Sequence, residues 1–138
     1  MKSTLIDAGP LIALFDKSDS YHTQAVSFIK SYKGTLFTTW PVITEASHLL
    51  NFSVKAQLAL LEWINRGGLY MIEIETYHIV RLMELSEKFK DVPMDLADAT
   101  LIVAAETNNI KEIATIDSDF YIYRDVRKRY LKNVFIGR

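Results

Sequence analysis

Apolar residues fall along this chain in short runs that alternate with stretches of helical spacing. Thr4 to Asp7 is a brief apolar run closing on Asp7-Ala8-Gly9-Pro10, the mark of a strand that ends in a turn. Leu11, Ile12, Leu14 and Phe15 suit a short helix, and Tyr21, Ala25, Phe28 and Ile29 place another over 21–32. Thr35 to Thr39 is β-branched and aromatic, which predicts a second strand. Pro41 fits the first turn of a helix running to about Asn51. Ser53 caps a further helix, which continues to Arg66 and stops at Gly67-Gly68. Leu69 to Ile74 reads as a third strand and Tyr77 to Phe89 as an amphipathic helix. From Asp95 to Thr107 the pattern changes. Leu96, Ala97, Ala99, Leu101, Ile102, Val103, Ala104 and Ala105 cover most sides of one helix, which marks it as buried. Ile113 to Ile116 is a fourth strand ending at Asp117, and Val134 to Ile136 is the candidate fifth.

Strands that alternate with helices need crossovers, and crossovers make a parallel sheet with helices on both faces. The expected class is therefore α/β, with a central parallel sheet of four to five strands. A chain of 138 residues fits one domain, 1–138, large enough to bury a core without staples. In such sheets, sites form beyond the carboxyl ends of the strands. That rule singles out Asp7 and Asp117, each of which ends an apolar strand.

Composition narrows the chemistry. The absence of cysteine excludes disulfides and thiolate zinc sites. No apolar run reaches the length of a membrane span, and Asp7 comes too early for a secretory signal, so a cytoplasmic location is expected. Net charge is −1, which by itself demands no nucleic-acid partner. Its distribution is more informative: Arg124, Arg127, Lys128, Arg129, Lys132 and Arg138 face a single acid, Asp125, giving the C-terminal stretch +5 and the remainder −6. A basic end beside an acidic body can hold a phosphate backbone near carboxylates, although a solvated surface has the same composition.

Further acids can join the two at the strand ends. Glu45 lies at the edge of the stripe formed by Val42, Ala46, Leu49 and Leu50. Asp95 and Asp98 open the apolar helix three residues apart, a spacing that suits a cap and also puts both on one side. Asp95 has the position of the cap itself. Asp98 stands among apolar neighbours, where a carboxylate is costly unless it is paired or bound to a cation. Asp119 follows Asp117 in a turn-like Asp-Ser-Asp. Each acid alone is as well explained by a cap, a turn or a solvated edge. Together they fall where a doubly wound sheet gathers its site. Crowded carboxylates repel, and a hard divalent cation relieves the repulsion. Oxygen-only ligands favour magnesium or manganese, the chemistry of phosphodiester hydrolysis. His22, His48 and His78 show no paired ligand spacing.

These segments resemble the PIN domain, in particular the VapC-like ribonucleases of prokaryotic toxin–antitoxin pairs. The resemblance is carried by Leu5-Ile6-Asp7 with Leu11 to Phe15, by Thr44-Glu45, by the run from Asp95 to Ala105, and by Ala114 to Phe120. It implies a three-layer α/β/α sandwich, a metal-dependent endoribonuclease, and catalytic residues at Asp7, Glu45, Asp98 and Asp117. It also implies that Asp7, Asp98 and Asp117 ligate Mg2+ or Mn2+, with Glu45 contacting a second ion or orienting water. Asp95 is an accessory acid and Asp119 the alternative to Asp117. Implied partners are an RNA substrate, a small antitoxin protein and a second copy of the chain, with no membrane. The helices over 21–32 and 53–66, through Phe28, Leu58, Leu61 and Trp63, are candidate partner surfaces, although a stripe of that kind is more often core than interface. Relatives often carry Ser or Thr shortly after the first Asp, where this chain has Ala8-Gly9-Pro10.

Two other classes compete. A non-catalytic RNA-binding or protein-interaction module would use the basic end and treat the acids as caps. A phosphatase of the haloacid-dehalogenase kind needs a second Asp two residues after the nucleophile, and Gly9 occupies that place.

Overall fold

The first strand, β1 (Lys2–Ile6), is the centre of the sheet because its residues Thr4, Leu5 and Ile6 can be covered from both sides. In a computed structural model that describes residues 2–123 and 129–136, helices α1 (Ala8–Phe15) and α2 (His22–Ser31) lead from it to β2 (Gly34–Thr38). Next come α3 (Trp40–Leu49), α4 (Val54–Asn65) and a short β3 (Tyr70–Met71). A 3-10 turn (Thr76–His78) precedes α5 (Ile79–Lys88), and α6 (Leu96–Asn108) enters β4 (Glu112–Ala114). A second 3-10 turn (Ser118–Tyr121) and β5 (Lys132–Asn133) complete the described elements.

The strand order is β3-β2-β1-β4-β5, and every pairing is parallel. From β1 to β2 to β3 the chain steps one way; from β3 it steps back over the sheet to β4. Right-handed crossovers then place α5 and α6 on the face opposite α1 to α4. This is the expected three-layer α/β/α arrangement. The order reverses beside β1, so the crevice at the carboxyl ends of β1 and β4 is the switch point where such sheets place their sites.

The apolar run in α6 behaves as its composition requires. Every residue from Ala97 to Ala105 is buried. Leu96 is the exception at 60% exposed. Arg81 of α5 reaches Glu106 of α6 through two bonds of 3.0 and 2.6 Å, tying the outer helix to the buried one. Gly67, at φ +82°, terminates α4 in a conformation that L side chains rarely adopt.

Several boundaries differ from those the sequence predicts. The first helix starts at Ala8, so Pro10 lies in its first turn and not in a separate loop. The third strand pairs only through Tyr70 and Met71, although the Ile72 N–H still reaches the Thr38 carbonyl at 2.8 Å. The fifth strand is Lys132–Asn133, not 134–136. The Asn133 side-chain oxygen accepts the N–H of Phe135 at 3.0 Å and of Ile136 at 3.4 Å, which bends the chain away from the sheet. Leu49, assigned to the buried stripe of α3, is instead 52% exposed at the corner before α4. Of the basic C-terminal stretch, Arg129 and Lys132 are exposed, while Arg124, Arg127, Lys128 and Arg138 lie outside the described residues. Among the described residues, no helix is long and apolar enough to cross a membrane.

Candidate metal centre

Three acids distant in sequence meet at the switch point. Asp7, Asp98 and Asp117 each offer a carboxylate oxygen, and these oxygens all lie within 4.8 Å of one another. Asp7 follows β1, Asp117 stands three residues beyond β4, and Asp98 projects from the first turn of α6. Acids at this point also serve as caps. Asp7 caps α1 by accepting the Ala8 N–H at 2.8 Å, and Asp117 caps its 3-10 turn by accepting the Asp119 N–H at 2.8 Å. Asp95 caps α6, accepting the N–H of Asp98 at 2.8 Å. Each of these bonds fixes a carboxylate by one oxygen, and lone pairs remain on both.

Neighbouring hydroxyls set the remaining orientations. Thr115 donates to the second oxygen of Asp7 at 2.9 Å, while the same hydroxyl accepts the Asp117 N–H at 2.9 Å. One side chain thereby links the acid after β1 to the acid after β4. Tyr123, fully buried, donates its hydroxyl to Asp98 at 3.1 Å. Its ring is held edge-on by Phe89 and Phe120 at 5.3 and 5.1 Å between centroids. Thr39, just past β2, bonds Thr100 at 2.8 Å and fixes the start of α6 against the sheet.

Asp7 and Asp98 sit in surroundings that disfavour their negative charge. Asp7 and Asp98 are each only 7% exposed. Burial, opposed by the Ala8 and Thr115 hydrogen bonds, raises the Asp7 pKa to about 6. Burial, followed by repulsion from Asp7 and Asp95, raises that of Asp98 to about 8. The Tyr123 phenol is pushed upward by burial and by Asp98, so it stays a donor. Among the described residues, no Lys or Arg forms an ion pair with Asp7, Asp98 or Asp117. Two buried carboxylates and a third acid without a cation fit a hard divalent ion better than they fit each other.

The other acids predicted from the sequence sit around this triad. Glu45 is half-buried on α3 and outside the group of three, yet close enough that Asp95 and Asp117 raise its pKa after burial does. Asp95 is exposed at the rim. Asp119 is half-buried and its pKa is raised by burial and then by Asp117, but it does not join the triad. The histidines have other work: His22 bonds the Ala13 carbonyl at 2.7 Å, and the His78 ring accepts the Glu75 N–H at 2.9 Å.

Comparison with known proteins agrees with this geometry. The PIN domain model matches residues 4–126. The chain belongs to the PIN-domain family. This PIN domain is 26% identical over 115 residues to Ribonuclease VapC26 of Mycobacterium tuberculosis, covering 82% of this chain and 85% of that protein. Its fold is that of Mycobacterium tuberculosis VapC20, a sarcin-ricin loop cleaving toxin, with a TM-score of 0.78 at 18% identity, over 86% of this chain and 93% of the other. VapBC2 of Rickettsia felis, solved bound to a DNA fragment from its promoter, aligns with a TM-score of 0.64 at 16% identity, over 95% and 98% of the two chains.

Tyr123 and the bridging role of Thr115 were not visible in the sequence as site residues. Thr115 stood in an expected strand. Tyr123 follows the last matched segment at no diagnostic spacing.

Proposed function

We propose that this PIN domain is a metal-dependent endoribonuclease that hydrolyses RNA phosphodiester bonds. The observation that carries the reading is the convergence of Asp7, Asp98 and Asp117 within 4.8 Å at a buried crevice where no Lys or Arg among the described residues pairs with them. These three would hold one divalent ion, Mg2+ or Mn2+. When bound, that ion supplies charge neutralisation at the phosphoryl oxygens and acidifies a coordinated water. Tyr123 and Thr115 keep the Asp98 and Asp7 carboxylates aimed inward, the usual task of groups behind a metal ligand. Glu45, at the edge of the triad, orients the attacking water or meets a second ion carried by the substrate phosphate. Asp95 adds negative charge at the rim and caps α6. The fourth catalytic acid is Asp117, with Asp119 holding it through its backbone N–H.

The likeness to VapC26 and to the VapC structures favours a toxin of a type II toxin–antitoxin pair, one domain spanning 1–138 and acting in the cytoplasm. Leu58 and Leu61 on α4 are exposed, unlike Phe28 and Trp63, which pack inward on Phe135 and Phe15. That exposed face suits a small antitoxin or a second copy of the chain.

The test is cleavage of a structured RNA by purified protein in Mn2+, with and without excess chelator, for the wild type and Asp98→Ala. Cleavage that needs the ion and disappears in a folded Asp98→Ala variant is expected. Cleavage that persists in chelator contradicts the metal reading. Complete inactivity of the wild type in Mn2+ favours a binding module.

A further inference from the structure

We propose that the cavity beside Trp40 is a subsite for an unpaired nucleobase one or two nucleotides from the scissile phosphate. This rests on the ribonuclease reading and goes beyond it to substrate selection. The cavity, of about 230 Å³, is lined mostly by apolar side chains, among them Trp40, Ile72, Ile74, Leu82 and Leu96, with Thr100 and the exposed Glu73 as its polar members. It lies on the same edge of the sheet as the triad. Trp40 opens α3 just past β2, Ile72 and Ile74 follow β3, and Leu96 opens α6. The triad stands beyond β1 and β4, so the two places are about two strand spacings, roughly 10 Å, apart. The first turn of α6 separates them: Asp98 projects to one side, while Leu96 and Thr100, four residues apart, share the other.

An RNA strand that runs along the carboxyl edge of the sheet with one phosphate at the triad brings a neighbouring nucleotide to this cavity. Trp40 is 46% exposed and Leu96 60% exposed there, two large apolar side chains left open to solvent. The Thr100 hydroxyl makes no polar demand, because it bonds both Thr39 and the Ala97 carbonyl, at 2.8 and 2.7 Å, and the Glu73 carboxylate is exposed and can accept from a base's N–H edge. An apolar slot walled by an indole suits the face of a planar ring. Recognition of single-stranded RNA works by stacking splayed bases on aromatic side chains, at about 1–3 kcal/mol per base.

The experiment compares wild type, Trp40→Ala and Trp40→Phe on a short RNA and on the same RNA made abasic at each position flanking the cut. Loss of a 1–3 kcal/mol stack corresponds to a fall of roughly 5- to 150-fold in kcat/KM for Trp40→Ala. Trp40→Phe should retain most of the activity. On the RNA abasic at the responsible position, wild type and Trp40→Ala should become equal. Equal losses on intact and abasic RNA overturn the proposal and make Trp40 a structural residue. Unchanged RNA kinetics in Trp40→Ala also overturn it and leave the cavity to a protein side chain. A second readout does not need turnover. In Trp63→Phe, Trp40 is the sole indole, and Mn2+ with a short RNA should quench its fluorescence. Quenching without cleavage would sink the ribonuclease reading and keep the base subsite; cleavage without quenching would do the reverse.

Discussion

Replacing Asp98 by Asn should stabilise the metal-free protein while it removes activity. Asp98 is buried and its pKa stands at about 8, against an ordinary 3.8. At pH 7 the unfolded chain carries it ionised and the folded chain carries it protonated. Neutralising it on folding costs roughly 4 kcal/mol, at about 1.4 kcal/mol per pH unit. Asn has the same shape and no such cost. Its oxygen can accept the Tyr123 hydroxyl, and its NH2 group faces the Asp7 and Asp117 carboxylates. Desolvating the amide returns about 1–3 kcal/mol. The net gain is about 1–3 kcal/mol, a rise in Tm of roughly 3–10 °C for a domain of this size.

The pH dependence gives the sign. Because its folded pKa is raised, Asp98 binds more protons folded than unfolded between pH 3.8 and about 8. Wild-type stability therefore falls as pH rises through that window. The advantage of Asp98→Asn should be absent below about pH 4, grow up to about pH 8 and then level off. Thermal melts in chelator across that range measure it. Added Mn2+ should raise the Tm of the wild type and leave the variant unmoved. A variant that melts no higher than wild type at pH 7, or a gap that does not widen with pH, refutes the reasoning.

Asp117→Asn should abolish RNA cleavage, whereas Asp119→Asn should keep it within about tenfold, because only Asp117 belongs to the triad; side-by-side rates decide between them. Tyr123→Phe should fold normally among Phe89 and Phe120 but weaken Mn2+ affinity about 10- to 100-fold, as loss of an orienting bond does at metal sites, and a calorimetric titration would show no change if the phenol is merely packing. Leu101→Ala, at a fully buried position of α6, should cost about 2–5 kcal/mol in denaturant melts with no change in which RNA bond is cut.

The class of fold was legible because its strongest signals are local. Ala97 to Ala105 announced a buried helix, and Ile113 to Ile116 a strand ending in Asp117. The triad was legible for a related reason: a parallel sheet collects the residues just past its strands along one edge, so Asp7 and Asp117 had to lie near each other once strands and helices alternated. The features the chain did not reveal depend on contacts between distant residues. The bend after Asn133 arises from a side-chain amide that replaces strand pairing, and no hydrophobic period records it. Tyr123 reaches Asp98 across 25 positions, and the exposure of Leu96 and Leu49 depends on which neighbours happen to cover them. The choice between cap and candidate ligand was undecidable from the chain because Asp7 and Asp117 cap helical turns and also converge with Asp98.

Titration of Mn2+ into the chelator-treated protein, followed by electron paramagnetic resonance of the free ion, tests the shared-ion claim most directly. A saturable site in the wild type that is lost in Asp7→Asn, Asp98→Asn and Asp117→Asn is the predicted result. No uptake by the wild type, or equal uptake by all four proteins, would contradict it.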